Sequence, residues 1–71
     1  MATEVEAHIT GTVWKIETTV GAQVSEGDIL VILESMKMEM PVEAPADGKV
    51  VEIRCAEAQA VDEGDVLVVL E

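Results

Sequence analysis

Seventy-one residues make one domain, near the lower size limit at which a hydrophobic core holds a fold without staples. One cysteine, Cys55, and one histidine, His8, exclude an intrachain disulfide and a zinc cluster of thiolates and imidazoles. Fifteen acids against four bases give a formal net charge of -11, which opposes binding to nucleic acid or to an anionic membrane surface and favours basic protein partners.

Hydrophobic residues form 49% of the chain, with no Phe or Tyr and a single Trp, so the core must be a dense packing of branched side chains that favour strands. In chain order, Val5 to Ala7 reads as a first strand, Gly11 introduces a second containing Val13 and Ile16, and Glu26-Gly27-Asp28 marks a reverse turn before the run Ile29 to Leu33. After a link, Ser35 to Pro41, the same order returns. Gly48 introduces the strand with Val50 and Ile53, Glu63-Gly64-Asp65 turns the chain, and Val66 to Leu70 closes it. The two closing runs are continuous rather than alternating, which suits strands buried on both sides. They are also far too short to cross a bilayer. Ala56 to Ala60 has helical propensity but is too short to nucleate, and it aligns with a segment containing Gly21, so helix is the weaker reading.

The chain is an internal repeat. Offset by 37 positions, 5–34 lies over 42–71 without a gap and with 14 identities in 30 positions, among them Gly11/Gly48, Val13/Val50, Ile16/Ile53, Gly27/Gly64 and Leu33/Leu70. Two copies of that size cannot each bury a core, so they are expected to pack about a pseudo-twofold axis into a small sandwich or flattened barrel. The link at 35–41 then lies opposite the chain ends.

That link reads Ser-Met-Lys-Met-Glu-Met-Pro and breaks local rules. Paired as a tight hairpin, Glu34 faces Glu39, Ser35 faces Met38, and Met36 and Lys37 fill two turn positions that normally go to Asn or Gly. Several violated preferences at one place point to function. Strand alternation cannot expose all three methionines beside Lys37, and Met40 is the one expected to turn inward.

Glu34-Ser-Met-Lys-Met-Glu39 resembles the attachment motif of the biotin carboxyl carrier (biotinyl/lipoyl) family. Gly11-Thr-Val-Trp-Lys15, Val24-Ser-Glu-Gly-Asp28, Pro41-Val-Glu-Ala-Pro45 and Val61-Asp-Glu-Gly-Asp65 extend the similarity over nearly the whole chain. The resemblance implies an all-β fold, a flattened barrel of two four-stranded antiparallel sheets, with residues 1–71 forming a single biotinyl domain. It implies biotin joined as an amide to Lys37 by a biotin protein ligase, with Met36 and Met38 read by partner enzymes and Ser35, Glu34 and Glu39 supporting orientation and recognition. It further implies a non-catalytic subunit or domain that shuttles carboxybiotin between biotin carboxylase and carboxyltransferase sites. Related lipoyl domains usually carry an acidic residue before the lysine and lack the methionine pair, so lipoate is the alternative cofactor. The sequence departs from the family where many members have proline, at His8, and in lacking the inserted loop of longer members.

The remaining residues have plainer readings. His8 is expected on a solvent-facing strand, Cys55 as a small buried or half-buried strand residue beside Arg54, and Trp14 as packing or a partner contact, with packing favoured. No Asp-x-Asp-x-Asp-Gly loop supports calcium, and one His with one Cys supplies no nucleophile and base pair for an enzyme. Glu4 and Glu6 stand where a secretory signal would be basic and then apolar, so the expected location is cytoplasmic. The Met-Ala start leans toward a natural small protein rather than an excised domain.

Overall fold

The computed structural model describes residues 2–71, which form eight strands: β1 (Thr3–Glu6), β2 (Gly11–Ile16), β3 (Gln23–Val24), β4 (Ile29–Ser35), β5 (Met38–Glu43), β6 (Gly48–Ile53), β7 (Ala60–Val61) and β8 (Val66–Leu70). They make two four-stranded antiparallel sheets, ordered β1-β8-β6-β3 and β5-β4-β2-β7. Exchanging β1 with β5, β2 with β6, β3 with β7 and β4 with β8 turns one order into the other, which is the pseudo-twofold symmetry of a flattened barrel. Each sheet draws strands from both halves of the chain: β1 pairs with β8, and β3 with β6.

Between the sheets lies one apolar cluster, in which Val13, Leu30, Val31, Leu33, Val50, Leu67 and Val68 are fully buried. Strict alternation cannot direct both Val13 and Ile16 inward, because they are three apart. The structure resolves this with a bulge: Val13 faces Leu33 and Lys15 faces Ile32, leaving Trp14 as the extra residue. At the equivalent place Val50 faces Leu70 and Glu52 faces Val69, leaving Val51 extra. A second pair of register shifts puts Leu30 and Leu67 out of register, so that each stands beside an inward valine. The closing runs are continuous in sequence for that reason.

Gly27 (φ 91°) and Gly64 (φ 94°) take the left-handed turn conformation the sequence called for. The Asp28 carboxylate accepts from the Ser25 amide at 2.9 Å, and that of Asp65 from the Asp62 amide at 2.8 Å. Each turn is bonded to the other half of the chain, since the Gly27 amide donates to the Ala44 carbonyl and the Gly64 amide to the Ala7 carbonyl, both at 2.9 Å.

Three expectations are corrected. Trp14 is not part of the packed core but 48% exposed on its bulge. His8 is exposed as expected, but it lies in the connection after β1 rather than on a strand. Cys55 is half-buried against the core, just beyond the end of β6. Ala56 to Ala60 forms a turn running into β7, and none of the described residues is helical.

Candidate functional site

Strands β4 and β5 meet in a two-residue hairpin in which Glu34 faces Glu39 and Ser35 faces Met38, so Met36 and Lys37 hold the central positions. Both are left-handed, Met36 at φ 52° and Lys37 at φ 64°, the backbone of a type I′ turn whose twist matches that of the strands it joins. Side chains with a Cβ are disfavoured there by about 1–2 kcal/mol per residue. The long, well-paired arms of β4 and β5 hold the turn against that cost.

At the tip, Met36 is 92% exposed and Met38 61% exposed, and Lys37 is exposed between them. Ser35 is half-buried, Glu34 and Glu39 are exposed, and Met40 turns partly inward opposite the buried Leu33. The ion pairs among the described residues are Lys15 with Glu17 and Arg54 with Glu4 and Glu52, and none involves Lys37. Its amine therefore stands at the end of a flexible four-carbon stem on a paired backbone.

Below the tip, two features fix the hairpin's base. An added Cβ on Gly11 would lie 2.5 Å from the backbone oxygen of Glu34, so only glycine lets β2 pass this close to the end of β4. Pro41 pairs with Ile32 on the edge strand β5. Counting from the tip, the hydrogen-bonded pairs are Ser35/Met38 and Leu33/Met40, so proline occupies a place whose N–H would point away from β4. Its missing donor costs the ladder nothing and blunts the free edge.

A match to the family model described as Biotin-requiring enzyme covers residues 1–70. The chain belongs to that biotin/lipoyl family. Similar members include the biotinylated protein TB7.3 homolog of Mycobacterium leprae (strain TN), 50% identical over 42 residues, a stretch that is 59% of each chain. Biotinylated protein TB7.3 of Mycobacterium tuberculosis (strain CDC 1551 / Oshkosh) is 48% identical over the same length, and the Biotin/lipoyl attachment protein of Bacillus subtilis (strain 168) 42% identical over 38 residues, 54% of this chain and 52% of that one. The chain thus spans somewhat over half the length of the curated relatives it matches.

Among solved structures, a single-chain, multi-domain long-chain acyl-CoA carboxylase superposes with a TM-score of 0.91 at 34% identity, over 96% of this chain and 7% of that one. The urea carboxylase of Kluyveromyces lactis superposes with a TM-score of 0.95 at 37% identity, over 100% of this chain and 6% of that one.

An exposed lysine at a hairpin tip fits the biotin-requiring family, since a primary amine can form an amide with a carboxylic acid cofactor. Two shallow hollows, of about 300 and 370 Å³, lie around Val5 and Val42 and beside Thr18, Thr19 and Gln23, and neither includes a residue of the hairpin tip. Among the described residues no group of three or more His, Cys, Asp or Glu side chains is placed to hold a metal, and no helix is long and apolar enough to cross a membrane. The sequence had singled out the tip and had weighed Trp14 as packing or a partner contact, but had missed the close approach at Gly11. That approach left a signal, since Gly11 is repeated as Gly48.

Proposed function

We propose that this chain is a biotin carboxyl carrier: residues 1–71 act as one biotinyl domain, and Lys37, within the hairpin 35–41, takes biotin as an amide from a biotin protein ligase. The observation that carries this reading is the placement of Lys37 on a type I′ turn, exposed and in no ion pair among the described residues. The membership of a biotin-requiring family supports it.

In the attachment reaction the Nζ lone pair attacks the carbonyl carbon of an activated acyl adenylate held by the ligase. The acyl C–O bond breaks, adenylate leaves with the electron pair, and Nζ loses a proton to solvent. Biotin, once bound, supplies a site that accepts and releases a carboxyl group. This chain's own residues would contribute presentation, with Met36 and Met38 as soft, adaptable contact surface and Ser35, Glu34 and Glu39 framing the base of the turn. No residue of the domain takes part in carboxyl transfer. The domain carries the group between a biotin carboxylase and a carboxyltransferase in the cytoplasm, and tethering keeps the local concentration at both sites high.

Coexpression with a biotin protein ligase followed by intact-mass measurement tests the reading. One added biotinoyl group is expected, lost in Lys37→Arg with the fold intact. A Lys37→Arg chain that remained biotinylated would overturn the assignment and direct attention to Lys15 or Lys49. The similarity to a biotin/lipoyl attachment protein keeps lipoate as a second reading, which an added lipoyl or octanoyl mass would support.

A further inference from the structure

The pseudo-twofold axis lets one face of the molecule serve as a control for the other. On the outer face of the β1-β8-β6-β3 sheet, Glu4, Val69 and Glu52 stand in a row across three strands. Arg54 closes that row: its Nε lies 2.9 Å from Glu52 and its Nη1 3.5 Å from Glu4. Val69 between the two acids is only 5% exposed. The row at the equivalent place on the attachment sheet is Pro41, Ile32 and Lys15. Glu17 replaces Arg54 and pairs with Lys15 at 3.4 Å, but Pro41 has no charge with which to extend the pair across the strands. Ile32 is left half-buried, Pro41 exposed, and Trp14, the extra residue of the bulge between the Val13/Leu33 and Lys15/Ile32 pairs, is exposed where the other sheet has the smaller Val51.

Core positions match between the halves, so a demand of the fold would have fallen on both faces alike. We propose that the outer face formed by Trp14, Ile32 and Pro41 is the surface on which the unmodified domain docks to the biotin protein ligase, an inference that rests on Lys37 being the attachment site. Reach selects the ligase among the partners. At about 3.3 Å per residue, the Ile32/Pro41 pair lies only about 10 Å below the Ser35/Met38 pair that closes the turn. A bare lysine stem is short, so bringing its amine into an active site presses this face against the ligase. After acylation the longer arm lets the sheet stand off from later partners. Charge adds a second constraint: Glu34 and Glu39 face each other between the patch and the tip, and Glu43 follows Pro41 on the edge strand. The complementary surface is therefore an apolar centre with a basic rim, and tryptophan is the residue type most often found to dominate such contacts.

Trp14 is the only aromatic residue apart from His8, so one fluorine label reports on it alone. With 5-fluorotryptophan in the full chain, titration with a purified biotin protein ligase is expected to shift or broaden the single ¹⁹F resonance, and the effect should largely vanish for the biotinylated chain. In kinetics with ligase, biotin and ATP, Trp14→Ala is expected to raise KM for the carrier about tenfold with kcat little changed. Val51→Ala, at the equivalent place on the other sheet, should alter neither. Pro41→Glu, which supplies the acid that Glu4 supplies opposite, should raise KM while leaving the fold as stable as before. An unmoved fluorine signal together with an unchanged KM in Trp14→Ala and Pro41→Glu would overturn the docking surface while Lys37 is still biotinylated. Absence of biotinylation in the unaltered chain would instead bring down the attachment reading on which it rests.

Discussion

Ala58 occupies in the second half of the chain the place of Gly21 in the first. Both have left-handed backbone, Ala58 at φ 71° and Gly21 at φ 96°, and both donate their amide to the opposite half at 2.7 Å, Ala58 to the Val13 carbonyl and Gly21 to that of Val50. The hydrogen bond demands the conformation, and only one half supplies the residue suited to it.

Ala58→Gly is therefore expected to stabilise the protein by about 0.5–1 kcal/mol, and Gly21→Ala to destabilise it by about 1 kcal/mol. Nothing lies within 4 Å of a Cβ added at Gly21, so the cost there is conformational and not a clash. Urea titration checks both, and a destabilised Ala58→Gly would contradict the account.

The β4–β5 turn is held in an unfavourable conformation by the pairing of its flanking strands, with Met36 at φ 52°. Met36→Asn should raise stability by roughly 0.5 kcal/mol, since asparagine tolerates this region, while lowering the ligase's kcat/KM for the carrier. Thermal melts and biotinylation rates read the two effects separately.

Gly11→Ala and Gly48→Ala differ in what they meet. The added carbon would lie 2.5 Å from the Glu34 backbone oxygen in the first case and 3.2 Å from that of Glu71 in the second. The first is expected to cost about 1–3 kcal/mol by displacing the end of β4, and the second distinctly less. Equal losses in denaturant unfolding would show that the strands move apart freely.

Burial pushes the Cys55 thiol above its ordinary value of 9.0. The folded protein then holds the proton more tightly than the unfolded chain. Stability from the neutral thiol is present below pH 9 and is lost as pH rises through 9 towards the folded value. Alkylation of Cys55 by iodoacetamide at pH 8 should accordingly run slower in the native protein than in urea. Matching rates would contradict the shielding.

With a net charge of -11, modification by a ligase with a basic rim should slow as salt is raised. Biotinylation rates that do not change between low and high ionic strength would argue against electrostatic steering.

Much of this architecture is legible in the sequence because the repeat is ungapped. Glycines at matching places fix the turns, and the hairpin register follows from counting outward from Met36 and Lys37. The interleaving of the halves is not legible, since a periodic pattern reports which residues face inward but not which strand lies beside which. The bulge at Trp14 lay partly in view: alternation counted from Val13 puts Trp14 outward, as found, but would turn Ile16 outward as well. The spacing of Val13 and Ile16, identical in Val50 and Ile53, held that information. The Arg54 bridge over Val69 joins Glu52, two residues away, to Glu4, fifty residues away, and has no sequence signature.

Because each sheet borrows strands from both halves, the molecule has no seam along which it could come apart. A nick between Met36 and Lys37 would yield two pieces, each lacking neighbours for its outermost strands, and neither could persist without the other. The same weave means that a peptide of half this length could reach this shape only by embracing a second copy of itself.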